Sequence, residues 1–141
     1  MSLLLAVDTS VAVPLLVEQH SLHSMMARWA EGKTLHLCGH ALLETYSVLT
    51  RLPADNRVAA ADAARVIDDR FSPGIALSPT TASQAHRLLA DRGVAAGATW
   101  DGLVALAAIE HDAILVTRDV RALATYDALN VRVELLSSAK G

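Results

Sequence analysis

Short apolar runs, each three to five residues long, recur along the chain and alternate with longer segments of helical composition. The first run covers 3–7 and a second covers 35–38. Runs of this length, bounded by polar residues, glycine or proline, are typical of strands buried on both faces. Strands that alternate with helices predict a parallel sheet covered by helices. We therefore expect an α/β fold, a three-layer α/β/α sandwich with a central, mostly parallel sheet.

The elements follow from this pattern and from the residues that end each segment. Strands are predicted at 3–7, 35–38, 75–77, 114–116 and 131–135. Helices, most of which end at a glycine or before a proline, are predicted at 22–31, 40–52, 58–70, 80–92, 99–112 and 120–126. The helix at 99–112 is apolar on most sides, which predicts that it is buried.

The length of 141 residues suits one domain with its own core. We expect a single domain over 1–136 and a mobile tail over 137–141. No apolar stretch approaches the ~20 residues that span a bilayer, and the N-terminus lacks the basic segment of a signal peptide. Cys38 is the only cysteine, so an intrachain disulfide is excluded and a reducing cytoplasm is expected.

Acidic side chains occupy the positions where a fold of this kind gathers functional groups. Asp8 and Asp119 follow predicted strands, Asp101 opens a helix, and Glu44 lies inside one. The carboxyl ends of parallel strands and the neighbouring helix ends line one edge of the sheet. Two carboxylates ~4 Å apart repel by on the order of 1 kcal/mol in water and ~4 kcal/mol at an intermediate dielectric. A divalent cation would offset that repulsion, so the sequence predicts a hard-metal site.

Each of these acids taken alone also has an ordinary structural explanation. Asp8 and Asp119 suit the N-cap of a following helix, and the helix dipole favours Asp101 in a first turn. Glu44 is compatible with a solvated helix surface, although no Lys or Arg lies three or four residues away to pair with it. The joint placement of the four, more than any single residue, supports the metal site.

Four short motifs occur in the order and spacing of the PIN-domain proteins. The matching segments are Asp8-Thr9-Ser10, Glu44 with Val48-Leu49-Thr50-Arg51, Trp100-Asp101-Gly102-Leu103-Val104-Ala105, and Leu115-Val116-Thr117-Arg118-Asp119. The chain resembles this family over nearly its whole length, and its size resembles that of a single-domain VapC-type toxin of a type II toxin–antitoxin system. Trp100 is a mild departure, since Tyr or another residue is expected there in many relatives.

The resemblance implies a magnesium- or manganese-dependent endoribonuclease that a cognate antitoxin blocks. By position, Asp8, Glu44, Asp101 and Asp119 would form the catalytic and metal-binding cluster, with Asp8 and Asp101 as the more direct ligands. Carboxylate oxygens suit Mg²⁺ or Mn²⁺ rather than zinc. Candidates for hydrogen bonds to the ligands or for contact with RNA phosphate are Thr9, Ser10, Thr117, Arg51 and Arg118, whose alternative roles are turn chemistry and surface charge.

The charge balance bears on the partners that this resemblance implies. A formal charge of −3 is unusual for a protein that binds nucleic acid, so RNA would need a local basic patch or bridging metal ions. An acidic cleft also invites an Arg or Lys side chain from a small antitoxin of the VapB type. The resemblance also implies a homodimer. The apolar residues of the first long helix would form either the dimer face or core, namely Leu22, Met25, Met26 and Trp29.

Three competing functions remain open at this stage. A phosphatase of the haloacid-dehalogenase type also places an Asp after its first strand, but it needs a second Asp where Ser10 stands. A response-regulator receiver domain needs a suitably placed lysine, and the chain contains only Lys33 and Lys140. A catalytically silent PIN-fold binding module would keep the fold without cleavage. The six histidines form no pattern, and the scattered glycines provide no phosphate loop.

Overall fold

A computed structural model describes residues 3–137 and contains a five-stranded sheet. Its strands are β1 (Leu5–Val7), β2 (Leu35–Cys38), β3 (Ser72–Ile75), β4 (Ile114–Thr117) and β5 (Val133–Leu135). The spatial order is β3-β2-β1-β4-β5, and all four pairings are parallel. The prediction of an α/β fold with a central parallel sheet is confirmed.

Seven α-helices connect and cover the strands of the described part. They are α1 (Thr9–Leu16), α2 (His23–Ala30), α3 (His40–Thr50), α4 (Ala60–Arg70), α5 (Pro79–Asp91), α6 (Ala98–Glu110) and α7 (Leu123–Ala128). Two short 3₁₀ turns lie at Ala54–Asn56 and Val120–Ala122. None of the helices within residues 3–137 is long and apolar enough to cross a membrane.

The strand order creates a switch point between β1 and β4. The chain leaves β1 toward β2 and β3, crosses back to β4, and leaves β4 in the opposite direction toward β5. Because crossover connections between parallel strands are right-handed, the two directions place their helices on opposite faces of the sheet. The loops after β1 and β4 therefore diverge and leave a crevice at the carboxyl edge, where α/β sheets bind ligands.

The central strands and α6 form the core. Ala6, Val7, Leu37, Leu115 and Val116 are fully buried, as their unbroken apolar runs predict. Helix α6 buries most of its residues between 102 and 108, which confirms the burial expected from its apolar sides. Met26 of α2 is also buried in this core, and Leu22 and Trp29 pack against it. Three of the four apolar side chains therefore serve the core of one chain, Met25 is only partly buried, and the homodimer stays a prediction.

Three elements differ from the sequence-based expectation, and the first is α1, which was not among the predicted helices although Asp8 was considered as the N-cap of a following helix. The strand predicted at 75–77 is Ser72–Ile75, so it includes Pro73 and Gly74. Proline is tolerated there because β3 is an edge strand, where one side of the backbone needs no ladder bond. The helix predicted at 120–126 is a 3₁₀ turn followed by α7, which continues to Ala128. The tail expected at 137–141 falls, apart from residue 137, outside the described residues.

Candidate active site

A pocket of about 140 Å³ opens at the switch point between β1 and β4. The structure brings all four predicted carboxylates to this pocket, although they come from four separate segments of the chain. Its lining consists of Asp8, Thr9, Ser10, Glu44, Asp101, Val104 and Asp119. Helix α6 returns toward the amino edge before β4, so its first turn, with Asp101, lies at the carboxyl edge beside the other three acids.

Asp8 lies directly after β1 and is the most constrained acid of the pocket. It is the N-cap of α1, because Oδ1 accepts hydrogen bonds from the Ser10 amide (3.1 Å) and the Ser10 hydroxyl (2.5 Å). Oδ2 accepts from the hydroxyls of Thr117 (2.5 Å) and Tyr126 (2.8 Å). Asp8 is only 6% exposed, and these four donors match the roughly four acceptor sites of a carboxylate. Asp8 therefore both caps α1 and lines the pocket.

Hydrogen bonds from the loop after β4 hold the start of α1 in register with the sheet. The Arg118 amide donates to Ser10 Oγ (2.8 Å), and the Asp119 amide donates to Thr117 Oγ1 (3.0 Å). Pro14 lies inside α1 and lacks the N–H that would bond the carbonyl four residues earlier, which belongs to Ser10. Arg118 Nη1 donates to that carbonyl at 3.0 Å instead. The proline and the arginine thus compensate each other.

The two predicted phosphate-contact arginines do not line the pocket. The guanidinium of Arg118 is engaged with the backbone of α1, and its Nε is buried without a hydrogen-bond partner among the described residues. Arg51 is exposed and donates to Ser47 Oγ at 2.7 Å. Arg51 lies seven residues beyond Glu44, which corresponds to about 10 Å along α3. Contact of either arginine with RNA stays a prediction.

Glu44 reaches the pocket from the second turn of α3. The Thr9 hydroxyl donates to Glu44 Oε1 at 3.2 Å, and the Thr45 hydroxyl donates to Thr9 Oγ1 at 3.3 Å. Thr45 is fully buried between α1 and α3, so it fixes Thr9, which in turn orients the glutamate. Glu44 itself is exposed, and its carboxylate can meet a ligand in the pocket.

The carboxylates of the pocket influence one another electrostatically. Burial raises the pKa of Asp101, and the negative charges of Asp119, Asp8 and Glu44 raise it further, while His40 has the opposite effect. Asp119 caps the 3₁₀ turn by accepting from the Arg121 amide at 2.9 Å. Within residues 3–137, the one ion pair that reaches the pocket joins Asp119 to Arg121 at 3.9 Å, and the Arg121 side chain is 96% exposed. The cluster is therefore nearly unneutralised.

The chemistry of this donor set fits a hard divalent cation, since every charged group in the pocket supplies oxygen. As the side chains stand, however, no three Asp, Glu, His or Cys residues in the described part are arranged to hold one common ion. Both oxygens of Asp8 point at hydroxyl donors, and mutual repulsion favours separation of the remaining acids. Metal binding at this pocket thus requires the carboxylates to move together.

Tyr126 of α7 is the site residue that the sequence patterns did not indicate. Its side chain is fully buried, and its hydroxyl donates to Asp8 across 118 residues of sequence. Burial, followed by the negative charge of Asp8, raises the pKa of the Tyr126 hydroxyl far above its usual value, so the group remains a neutral donor. The sequence offered one indirect signal: Tyr126 lies in the predicted helix that follows Asp119 at the end of a strand. A buried phenol needs a polar partner, and a nearby carboxylate can be that partner. Val104, which the third motif contained, supplies the apolar part of the pocket.

The fold and the pocket define an α/β protein with an all-oxygen acidic site at the carboxyl edge of a parallel sheet. The model of one family, described as PIN domain, matches residues 5–129. The chain therefore belongs to the PIN domain family.

Curated relatives agree with this assignment. Ribonuclease VapC27 of Mycobacterium tuberculosis is 53% identical over 129 residues, which cover 92% of this chain and 94% of the relative. Ribonuclease VapC40 of the same organism is 42% identical over 135 residues, which cover 95% of this chain and all of the relative.

Solved structures share the fold at low sequence identity. VapBC2 from Rickettsia felis, bound to a DNA fragment from its promoter, contains a chain with a TM-score of 0.66 and 15% identity, with 95% of this chain and 99% of that chain covered. VapC20 of Mycobacterium tuberculosis, a toxin that cleaves the sarcin-ricin loop, gives a TM-score of 0.64 and 19% identity, with 85% and 93% covered.

Proposed function

We propose that this protein is a metal-dependent endoribonuclease toxin of the VapC type, which hydrolyses RNA phosphodiester bonds in the cytoplasm. The observation that carries the proposal is the convergence of four nearly unneutralised carboxylates on one pocket at the switch point of the sheet. The curated relatives named ribonuclease VapC support the same reaction.

The proposed ligands of Mg²⁺, or of Mn²⁺, are Asp8, Asp101, Glu44 and Asp119. A divalent ion in the pocket would supply positive charge and Lewis acidity at the scissile phosphate. Asp101 and Asp119 are partly exposed, and no buried side chain among residues 3–137 donates a hydrogen bond to either carboxylate, so they can turn toward a cation. Asp8 contributes a fixed negative charge at the base of the pocket, and direct ligation by it requires one hydroxyl bond to be exchanged.

The remaining polar groups would position the reactants. Glu44 is exposed and oriented by Thr9, which suits it to hold a water molecule against the phosphorus and to accept its proton. The P–O bond to the other RNA fragment would break, and the negative charge on the leaving oxygen would be stabilised by the bound cation. Ser10 and Thr117 keep the Asp8 carboxylate in one orientation, and such supporting hydrogen bonds tune ligand geometry. On this proposal the four acids share the cation, Asp101 and Asp119 are the ones most able to turn toward it, and Glu44 also accepts the proton of the attacking water.

The partner that we propose is a small antitoxin of the VapB type. Within residues 3–137 the one basic partner of the acidic pocket is the highly exposed Arg121, so the pocket offers a site for an Arg or Lys side chain from another protein, which would displace the cation. VapBC2 of Rickettsia felis contains a chain with this fold, which supports a partner of the VapB type. On this proposal, the antitoxin and the metal compete for the same carboxylates.

The test is RNA cleavage by the purified protein, with one acid removed at a time. We expect cleavage with Mg²⁺ or Mn²⁺, none with EDTA, and a loss of at least 100-fold, on the order of one catalytic group, in Asp101→Asn. Asp69→Asn is the matched control, because Asp69 is an exposed acid of α4 outside the pocket. Sequencing of RNA 5′ ends after brief expression, with Asp8→Ala as the inactive control, would identify the cleaved site. Equal activity of Asp101→Asn and Asp69→Asn would contradict the proposal, and tight antitoxin binding without any cleavage would indicate a silent binding module.

A further inference from the structure

Two aromatic rings stack beside the acidic pocket, and neither belongs to its lining. His40 is the first residue of α3, and Trp100 lies in the first turn of α6. Their ring centroids are 5.1 Å apart, with an interplanar angle of 25°. Trp100 directly precedes Asp101, which lines the pocket. The pair therefore borders the place where the carboxylates meet.

The stacking geometry depends on a close approach of α3 to α6. Gly39 precedes α3 with φ of +56°, a conformation that favours glycine. A Cβ at this position would lie 3.1 Å from Ala107 Cβ and 3.2 Å from the Leu103 carbonyl oxygen. The Gly39 amide also donates to the Ile75 carbonyl at 2.6 Å. The backbone thus fixes the start of α3 against α6, and His40 is held where it meets the indole.

Trp100 remains 53% exposed although one ring partner covers part of it. Tryptophan has the largest apolar surface of any side chain, and partial exposure of an oriented indole next to a polar pocket is a common feature of binding sites. Stacking against His40 restricts the orientation of the indole, and such preorganisation lowers the entropy lost when a ligand stacks on it. The orientation and the exposure together describe a flat, preorganised surface.

We propose that Trp100, held by His40, is a stacking platform for an unpaired RNA base next to the scissile phosphate, an inference that rests on the proposed ribonuclease function. Unstacked bases of single-stranded RNA bind aromatic faces in a largely sequence-tolerant way. The net charge is −3, and among the described residues the lining of the pocket contains no basic side chain that could attract an RNA phosphate. A stacking contact adds affinity that does not depend on basic residues.

The first arm of the test measures binding without cleavage. In Trp29→Phe, Trp100 is the only tryptophan, so its fluorescence reports on its own surroundings. We expect a short single-stranded RNA to quench this emission in EDTA, where the metal-dependent reaction is off. An oligomer of the same length with abasic sugars should leave the emission unchanged. If neither oligomer changes the fluorescence of Trp100, the proposal of a stacking platform is wrong, whether or not the protein cleaves RNA.

The second arm measures the platform by substitution. Trp100→Ala should weaken RNA binding by about tenfold, in the range of one lost base–aromatic stack, and raise KM more than it lowers kcat. Trp100→Phe should retain most of the affinity, and His40→Ala should show a smaller loss than Trp100→Ala. Ile109→Ala, which removes an exposed apolar side chain from the far end of α6, is the matched control.

The two arms separate the platform from the catalytic proposal. Quenching by RNA in a protein that cleaves nothing with either metal would support the platform and contradict the nuclease. Cleavage by the unsubstituted protein, with identical RNA affinity in Trp100→Ala and Ile109→Ala, would support the nuclease and overturn the platform. The latter result is also expected if Trp100 is instead covered by a protein partner.

Discussion

Tyr126 donates its hydroxyl to Asp8 Oδ2 at 2.8 Å, so a residue of α7 and the first acid after β1 act as one buried unit. Tyr126→Phe removes this donor and keeps the ring. We expect a loss of about 1.5–3 kcal/mol in the free energy of unfolding, as for other hydrogen bonds to a charged group. Thermal denaturation in EDTA should show a decrease of several degrees. Tyr46→Phe is the control, and an equal change in both variants would contradict the special role of Tyr126.

Substitution of Gly39 should also lower the free energy of unfolding. Gly39→Ala combines a positive φ with contacts of 3.1–3.2 Å to α6, so we expect a decrease of about 1–3 kcal/mol in the free energy of unfolding. Gly97→Ala is matched, since Gly97 has φ of −61° and open space around its Cα. It should be neutral or slightly stabilising. Chemical denaturation of both variants measures the difference, and a neutral Gly39→Ala would show that α3 can shift away from α6.

Glu110 links the end of α6 to the start of α5, and its contribution to stability should depend on pH. Hydrogen bonds from the Ser78 hydroxyl and amide, followed by the Thr81 hydroxyl, lower the pKa of Glu110. A lowered folded-state pKa stabilises the protein above the unfolded-state pKa, and this contribution is lost as the pH falls through the folded-state value. Glu110→Gln should therefore lower Tm at neutral pH.

The difference in Tm between Glu110→Gln and the parent protein should shrink as the pH falls below about 4, near the ordinary glutamate pKa. Glu18→Gln, at an exposed glutamate in the loop after α1, serves as the control and should show no such trend. A difference that stays constant from pH 7 to pH 3 would argue against the capping bonds as its cause.

The Cys38 thiol should be unreactive in the folded protein. Its Sγ donates to the Val104 carbonyl at 3.0 Å, and burial, followed by the negative charge of Asp8, raises the pKa of the thiol to about 12. The thiol form therefore predominates at pH 8, and the thiolate is the reactive form. We expect no reaction of the folded protein with a thiol reagent and one equivalent after unfolding. Rapid labelling of the native protein would mean that the β2–α6 contact opens readily.

The sequence predicted the central part of the fold because its signals are local. The strands β1, β2 and β4 are unbroken apolar runs, and their burial needs no further information. The predicted position of the edge strand β3 was wrong because Pro73 and Gly74 do not resemble strand residues, and their extended conformation depends on pairing with β2, which is distant in sequence. The family assignment was likewise confirmed, since it depends on the order of short motifs.

The acidic residues of the site could be predicted from the sequence, whereas the residues that hold them in place could not. Strand-end and helix-start positions indicated where Asp8, Asp101 and Asp119 would meet, and the structure places them around one pocket. Tyr126 was missed because its partner lies 118 residues away, and no local pattern reports such a contact. The role of Arg118 as a substitute donor for Pro14 depends on the same long-range packing. The catalytic and metal-binding roles stay predictions.

Metal binding to the carboxylates is the central claim, and a thermal titration with Mn²⁺ or Mg²⁺ tests it most directly. An ion that binds only the folded pocket stabilises it by about 2.7 kcal/mol at a concentration 100 times its Kd, so Tm should rise with metal in the parent protein and in Asp69→Asn. In Asp101→Asn the rise should be much smaller. A Tm that is independent of metal, or that rises equally in all three proteins, would contradict a cation site built from these four acids.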